Sequence, residues 1–388
     1  MRQVSFTDQN AIQLLHCGAE YFPALIEAFD AAQNEIYFET YIFAEDDTAE
    51  RIKAALGRAA ARGVIVNVIT DWVGTGNTQA NALQRDFEAL GVAHYSFNPW
   101  FRRGIARMHR KLCVVDRVVA FLGGLNIVDD MHDDDDAHIS LPAPRWDFGV
   151  RIHGPLVATI HWEMAVHWAQ LGSLSWRTRW ATFKEQRREH GSHGREPMIA
   201  GLVIRDNLRN RRTIQHAYLH ALGSARHSAM LANPYFAPGR KMRNGLIQAA
   251  QRGVQVTLLL GAGQYRFQDV IARSFYPGLL KAGVRIVEYR KTQLHGKVAV
   301  VDDSWATVGS SNVDGFSLFV NQEANVVVID ATFACNLRRH IEQGVAEGVP
   351  MSMADFDSIP RYKRIAYRVA YFIYKNLMRV ITWGKSAE

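Results

Sequence analysis

The sequence predicts an α/β protein built from two duplicated halves, and three observations carry that prediction. The pattern H-x-K-x4-D-x6-G-[GS]-x-N occurs twice, as "HRKLCVVDRVVAFLGGLN" from His109 and "HGKVAVVDDSWATVGSSN" from His295, 186 positions apart. The surrounding chain repeats at nearly the same distance: "RGVIVNVI" from Arg62 matches "RGVQVTLLL" from Arg252, and "LGVAHYSF" near Gly91 matches "AGVRIVEY" near Gly283. A period this long marks a duplicated domain and not a solenoid of short units. Within each half, helical and strand patterns alternate, which implies α/β layers around a mostly parallel, buried sheet.

In the first half, "EYFPALIEAFDAAQ" has helical spacing and "EIYFETYIF" is strand-like. "DDTAERIKAALGRAAARG" is helical, with Asp47 as N-cap and Gly63 as C-cap, and "VIVNVITD" follows as an apolar strand. The second half repeats the order with "RRTIQHAYLHALGSAR", "HSAMLANPYF", "GRKMRNGLIQAAQRG" and "VQVTLLLG". Residues 172–197 are polar and basic and read as a linker. The expected division is therefore 1–171, the linker 172–197, 198–349, and a tail over 350–388.

The 388 residues suffice for two domains, and nearly half of them are hydrophobic, which excludes a disordered chain. The formal net charge of +7 suits anionic partners. Cys17, Cys113 and Cys335 are odd in number and far apart, which gives no disulfide framework or zinc motif and fits a reducing compartment. The N-terminus lacks the apolar stretch of a signal peptide, and no apolar run is long enough to predict a membrane-spanning helix.

Side chains alternate along a strand, so His109 and Lys111 point the same way, as do His295 and Lys297. Asp116 and Asp302 lie an odd seven residues past their histidines. They belong to the motif's catalytic set, but as scaffold or charge-balancing groups turned away from the reacting atom. Each motif ends in a small-residue turn, Gly123–Asn126 or Gly309–Asn312, where the backbone can approach closely and the Asn126 or Asn312 amide can donate to an oxyanion. An imidazole beside an ammonium, present twice, suits a phosphodiester. One histidine can attack phosphorus and the other protonate the leaving alcohol, while Lys111 and Lys297 neutralise charge on the non-bridging oxygens. Two lysines could stand in for a metal ion.

These twin motifs resemble the HKD motifs of the phospholipase D superfamily, and the similarity runs from "LLHCGAEYFPALIEAF" to about Val349. Within that superfamily the chain most resembles the shorter bacterial cardiolipin synthases, which lack N-terminal membrane helices. "ETYIFAEDD", "RMHRKLCVVD", "FLGGLN", "EYRKTQLHGKVAVVDDSWATVGSSN" and "EANVVV" carry that closer match. The resemblance implies two phospholipase D-like α/β/α sandwich domains related by a pseudo-twofold, with one shared active site, a covalent phosphohistidine and no cofactor or metal. It also implies a carboxylate behind each histidine, for which Asp147 in "RWDFGV" and Glu323 in "NQEANV" are the candidates. Ser310, in the second turn, joins them as a supporting residue. Analogy favours His109 as nucleophile and His295 as acid, although the duplication leaves them formally equivalent.

Four other stretches invite function. "NPWFRRGIARMHR", residues 98–110, mixes Trp100 and Phe101 with Arg102, Arg103 and Arg107 and reads either as a site-rim loop that meets lipid headgroups or as an ordinary basic loop. "HDDDDAH", residues 132–138, reads as a solvated acidic loop in preference to a metal site, and "HWEMAVHW", residues 161–168, as a core helix. In the tail, Arg361, Arg364, Arg368, Lys375 and Arg379 fall within roughly a 60° arc of a helix whose remaining surface is apolar. That pattern suits a helix lying in a membrane interface, with docking on the protein's own core as the alternative. The expected function is a phosphatidyltransferase forming cardiolipin from phosphatidylglycerol, peripheral on the cytoplasmic side of the cell membrane and attracted to its anionic surface. The rivals are a phospholipase D with water as acceptor, a nucleic-acid phosphodiesterase, disfavoured by the fused motifs and the tail so that no nucleic-acid partner is expected, and a non-enzymatic lipid-binding module.

Overall fold

The computed structural model describes residues 4–102, 104–133, 139–172, 197–207 and 210–381, with backbone alone at 316 and 377–381. The first half contributes seven strands: β1 (Phe6–His16), β2 (Glu35–Thr40), β3 (Ile65–Asp71), β4 (Ala93–Phe97), β5 (Leu112–Val115), β6 (Val119–Gly123) and β7 (Phe148–His153). The second contributes β8 (Met198–Arg205), β9 (Ser228–Asn233), β10 (Gln255–Gly261), β11 (Arg285–Tyr289), β12 (Lys297–Val301), β13 (Trp305–Gly309), β14 (Glu323–Ile329) and β15 (Val349–Met351). They form one sheet in the order β15-β11-β10-β9-β12-β13-β14-β8-β1-β7-β6-β5-β2-β3-β4. Read outward from the central β1–β8 pair, the two directions match strand for strand until β15 extends the second edge. β1 joins the halves by changing partner along its length: Phe6, Thr7 and Asn10 pair with β8, and Ala11–His16 pair with β7.

The sheet is mixed, which corrects the expectation of a mostly parallel one. Among the named strands, parallel pairing is confined to β2-β3-β4 and β9-β10-β11, the strands that helices connect. Each motif is a hairpin and not a single strand. The three-residue turns 116–118 and 302–304 reverse the chain and make β5–β6 and β12–β13 antiparallel. Asp116, Arg117 and Asp302 take positive φ there, a conformation tolerated in tight turns. The helix Asp47–Ala61 is capped by Asp46 and not by Asp47: the Asp46 carboxylate accepts from Ala49 N at 2.8 Å. Of the linker 172–197, residues 173–196 lie outside the described part. The expected division at 349/350 falls inside β15.

Helices cover both sheet faces in each half. Alternate residues of the motif strands face different cores: Cys113 and Val115 join a cluster confined to the first half, whereas Leu112 and Val114 join one shared by both halves. That shared core gathers Phe148 and Val150 with Val298, Val300, Val308 and Val326, and takes Ile160 and Met164 from the helix Leu156–Leu171 and Leu337 and Ile341 from the helix Ala331–Glu347. The first of these helices packs on β8 and the second on β1, so each half helps cover the other. Separating the halves would expose apolar area at about 25 cal/mol per Å².

Candidate active site

Short backbone ladders between the halves place the site. Met108 pairs with Gln322 and Trp146 with Leu294, both in parallel bridges. His109 N donates to Gln322 O at 2.9 Å, and His295 N donates to Trp146 O at 2.9 Å. Each motif histidine therefore sits in extended chain just ahead of its hairpin, beside the residue that precedes a carboxylate of the other half.

The carboxylates are consequently crossed. His109 Nδ1 lies 3.0 Å from Glu323 Oε2, and His295 Nδ1 lies 2.6 Å from Asp147 Oδ2. Glu323 and Asp147 are wholly buried at the starts of β14 and β7. Ser310 Oγ donates to Glu323 Oε2 at 2.5 Å and accepts from Ala324 N at 3.1 Å, while the Ser310 carbonyl lies 3.1 Å from His109 Nδ1. Asp147 Oδ1 accepts from its neighbour Phe148 N at 2.7 Å. The glycine at 124 answers to this carboxylate, because a Cβ there would come within 2.2 Å of Asp147 Oδ1.

Lys111 and Lys297 are buried, and each turns its ammonium back to the carbonyl of its own motif histidine, at 3.0 Å for Lys111. Asn126 Oδ1 accepts from Ile42 N at 3.3 Å, and Asn312 Oδ1 is buried without a hydrogen-bond partner among the described residues. Burial lowers the His109 imidazole below its ordinary value, against the upward pull of Glu323. Burial likewise raises the Asp147 carboxyl, opposed by Lys297.

Asp116 and Asp302 are not with these groups, in keeping with the scaffold work expected of them within the motif. They lie at the far ends of β5 and β12, where the hairpins turn. Asp116 accepts from the backbone N–H groups of Gln33, Asn34 and Glu35 at 2.7, 2.7 and 2.9 Å. Asp302 accepts from Arg226, His227 and Ser228 at 2.9, 2.8 and 3.0 Å. Each ties its hairpin turn to the start of the neighbouring strand.

The acidic loop is only partly described, since residues 134–138 lie outside. Asp133 is not solvated but buried, accepting from Gln293 Nε2 at 3.3 Å, and His132 Nδ1 meets Asp129 at 3.0 Å. The helix bearing "HWEMAVHW" is a core helix as expected. Its two histidines face carboxylates of β2, with His161 on the partly buried Glu35 at 3.0 Å and His167 on the buried Glu39 at 2.9 Å.

Sequence reasoning missed three groups around His109. The Tyr41 ring meets the His109 ring edge-on at 4.8 Å and lies 5.2 Å from Lys111 Nζ. Arg110, between the motif residues, is buried against Glu39 at 2.7 Å and His167 at 2.7 Å. Asp71, ending β3, accepts from Met108 N at 2.7 Å. Tyr41 and Glu39 stood in the quoted "ETYIFAEDD", but no spacing rule links that segment to the motif.

A family model described as cardiolipin synthase, PLD-like domain, matches residues 25–137 and again 218–344. The chain is 37% identical over 351 residues to cardiolipin synthase B of Escherichia coli (strain K12), covering 88% of this chain and 82% of that protein. Cardiolipin synthase 1 of Bacillus cereus is 27% identical over 370 residues, covering 92% and 71%. In fold, the chain resembles the solved phosphatidylserine synthase of Haemophilus influenzae Rd KW20, with a TM-score of 0.71 at 13% identity over 98% of this chain and 96% of that one. Because the model matches in both halves and the E. coli relative aligns across most of both chains, this protein belongs to the cardiolipin synthase, PLD-like domain family.

Proposed function

We propose that this protein is a phosphatidyltransferase that makes cardiolipin from two molecules of phosphatidylglycerol, working peripherally at the cytoplasmic face of the cell membrane. His109 Nε2 attacks phosphorus, the bond from phosphorus to the headgroup glycerol oxygen breaks, and His295 gives that oxygen a proton. A hydroxyl of a second phosphatidylglycerol then loses its proton to His295 and attacks the phosphatidyl-histidine. The phosphorus–nitrogen bond breaks, and cardiolipin leaves with His109 and His295 restored. Lys111, Lys297, Asn126 and Asn312 bind the phosphate oxygens. Glu323, aided by Ser310, and Asp147 hold the imidazoles in the tautomer that presents Nε2.

The crossed pairing of two histidines with two buried carboxylates carries this reading. It supplies a nucleophile and an acid in one place from two halves that would each be incomplete alone. The named activity of relatives that align over most of the chain supports the choice of lipid. The test is mass spectrometry of the products formed from phosphatidylglycerol, with and without phosphatidylethanolamine. Cardiolipin and glycerol in equal amounts are expected, in excess chelator as without it. Phosphatidic acid as the sole product would make the acceptor water and overturn the transferase.

A further inference from the structure

Beside the candidate site the fold presents an apolar knob that is exposed among the described residues. Trp100 is 67% exposed, Ile105 50% and Phe101 48%. Trp72 backs the two aromatic rings, with centroids 5.3 Å from Trp100 and 5.8 Å from Phe101, and the Arg107 guanidinium lies 5.0 Å over the Phe101 ring.

The knob is a built feature. The buried Asn98 donates through Nδ2 to Gly104 O at 2.8 Å and Ala106 O at 2.9 Å, closing the loop across its base. Asn98, Trp100 and Phe101 have φ of 55°, 56° and 55°, a region that L-residues occupy only when the surroundings hold them there. Asp71 then ties the knob to the site, capping Val73 and Gly74 beside Trp72 while accepting from the N–H of Met108, the residue before His109. Residues 98–107 include Arg102, Arg103 and Arg107 and no acid. Large amphipathic rings interleaved with arginine, without carboxylates, complement the boundary between lipid headgroups and acyl chains. A folded protein partner would not by itself call for that charge.

We propose that this knob inserts into the interfacial layer of a phospholipid bilayer, with Trp100 and Phe101 at the acyl-chain boundary and Arg102 and Arg107 among the headgroup phosphates. It thereby holds the mouth of the site against the leaflet. The substrate consequence rests on the phosphatidyltransferase reading, whereas the insertion itself does not.

The test is flotation of the full-length Trp100→Ala/Phe101→Ala variant with phosphatidylcholine vesicles and with vesicles that also contain phosphatidylglycerol, at low and high salt. Both side chains are exposed, so an unchanged thermal melt is expected. Vesicle binding should weaken about tenfold on both compositions and at both salt levels, because an inserted apolar contact is not screened. The swap Trp100→Phe/Phe101→Trp should restore it. Wild-type binding by the alanine variant, or a loss confined to anionic vesicles at low salt, would overturn insertion. So would a change in sedimentation state with vesicle binding intact, which would make the knob a contact between copies. Turnover of a short-chain, water-soluble phosphatidylglycerol separates the two readings: a wild-type protein that binds vesicles but forms no cardiolipin there defeats the proposed function and leaves the knob standing.

Discussion

His109 and Glu323 meet at 3.0 Å although 214 residues separate them and they belong to opposite halves. His295 and Asp147 repeat the relationship at 2.6 Å. The crossing makes each histidine–carboxylate pair a product of both halves, and it separates the proposed roles experimentally. Glu323→Gln should reproduce the defect of His109→Ala, and Asp147→Asn that of His295→Ala, with turnover of phosphatidylglycerol falling by about 10²–10⁴-fold for either carboxamide. A nitrophenyl phosphodiester needs no proton on its leaving group. Asp147→Asn and His295→Ala should therefore recover a burst of nitrophenolate on it, and Glu323→Gln and His109→Ala should not. The opposite pattern would exchange nucleophile and acid.

The same pair predicts a pH effect. Burial lowers the His109 imidazole, so the acidic limb of kcat/KM should lie below the ordinary histidine value of about 6.5. Glu323 opposes that shift, so Glu323→Gln should move the limb lower still. A limb that moves upward in this variant would mean that His109 does not control it.

If one histidine attacks while the other moves the proton, they act as a unit. His109→Ala or His295→Ala alone should reduce phosphatidylglycerol turnover by at least about 10³-fold, and the double variant should be hardly worse. Multiplicative losses in the double variant would show two independent contributions.

The duplication, the helices and most strands of both halves were legible because period, caps and apolar runs are local signals. Sheet direction was not. "VVDRVV" and "VVDDSW" read as continuous apolar strands, and the reversal rests on positive φ at Asp116 and Asp302, for which neither glycine nor proline gives a cue. The histidines, lysines and carboxylates were found by pattern and resemblance, but which carboxylate serves which histidine depends on the pairing of Met108 with Gln322 and Trp146 with Leu294. No sequence spacing encodes that pairing. Arg110 and Glu39 escaped notice because they make an ion pair across 71 residues, and only the packing of β5 on β2 brings them together.

Asp116→Ala should damage the fold more than the chemistry. Three backbone N–H groups lose their acceptor, although partial exposure lets water replace some of it. A loss of about 2 kcal/mol in urea unfolding is expected, with activity per folded molecule within a few-fold of wild type. Folded but inactive protein would return Asp116 to the reacting centre.

His94 should make the first half acid-sensitive. Burial pushes its imidazole down to about 4, and the ring sits between Thr70 Oγ1 at 2.9 Å and Gln84 Oε1 at 2.8 Å, partners that suit the neutral form. The unfolded chain takes up this proton below about pH 6.5 and the folded chain does not. Stability should therefore fall as pH drops from about 6.5 to 4, by up to roughly 1.4 kcal/mol per pH unit. His94→Gln should flatten that part of the stability profile, and equal slopes in wild type and variant would remove His94 as its cause.

The tail helix Arg361–Ile381 combines the two alternatives that its sequence posed. One side docks on the protein. Tyr367 and Ala370 are buried, Tyr371 meets Phe275 at 5.3 Å, and the Tyr374 hydroxyl accepts from Gly315 N at 2.8 Å. The opposite side leaves Tyr362, Ile365, Val369, Phe372 and Ile373 exposed, with Arg361, Arg368 and Lys375 along one border, while Arg379 lies outside the side chains described. Deleting the helix would uncover Phe275 and confuse stability with membrane binding, so the two sides must be tested separately. Ile365→Ser/Phe372→Ser should weaken binding to vesicles and leave the melting temperature unchanged. Arg368→Glu/Lys375→Glu should weaken binding only when the vesicles are anionic, with a salt-sensitive loss of about 1 kcal/mol or more per reversed charge. Tyr367→Ala should lower the melting temperature by several degrees through the loss of buried aromatic area. If the outward variants float with vesicles as fully as the wild type, the helix serves only the core of the second half, and the whole burden of attachment passes to Trp100 and Phe101.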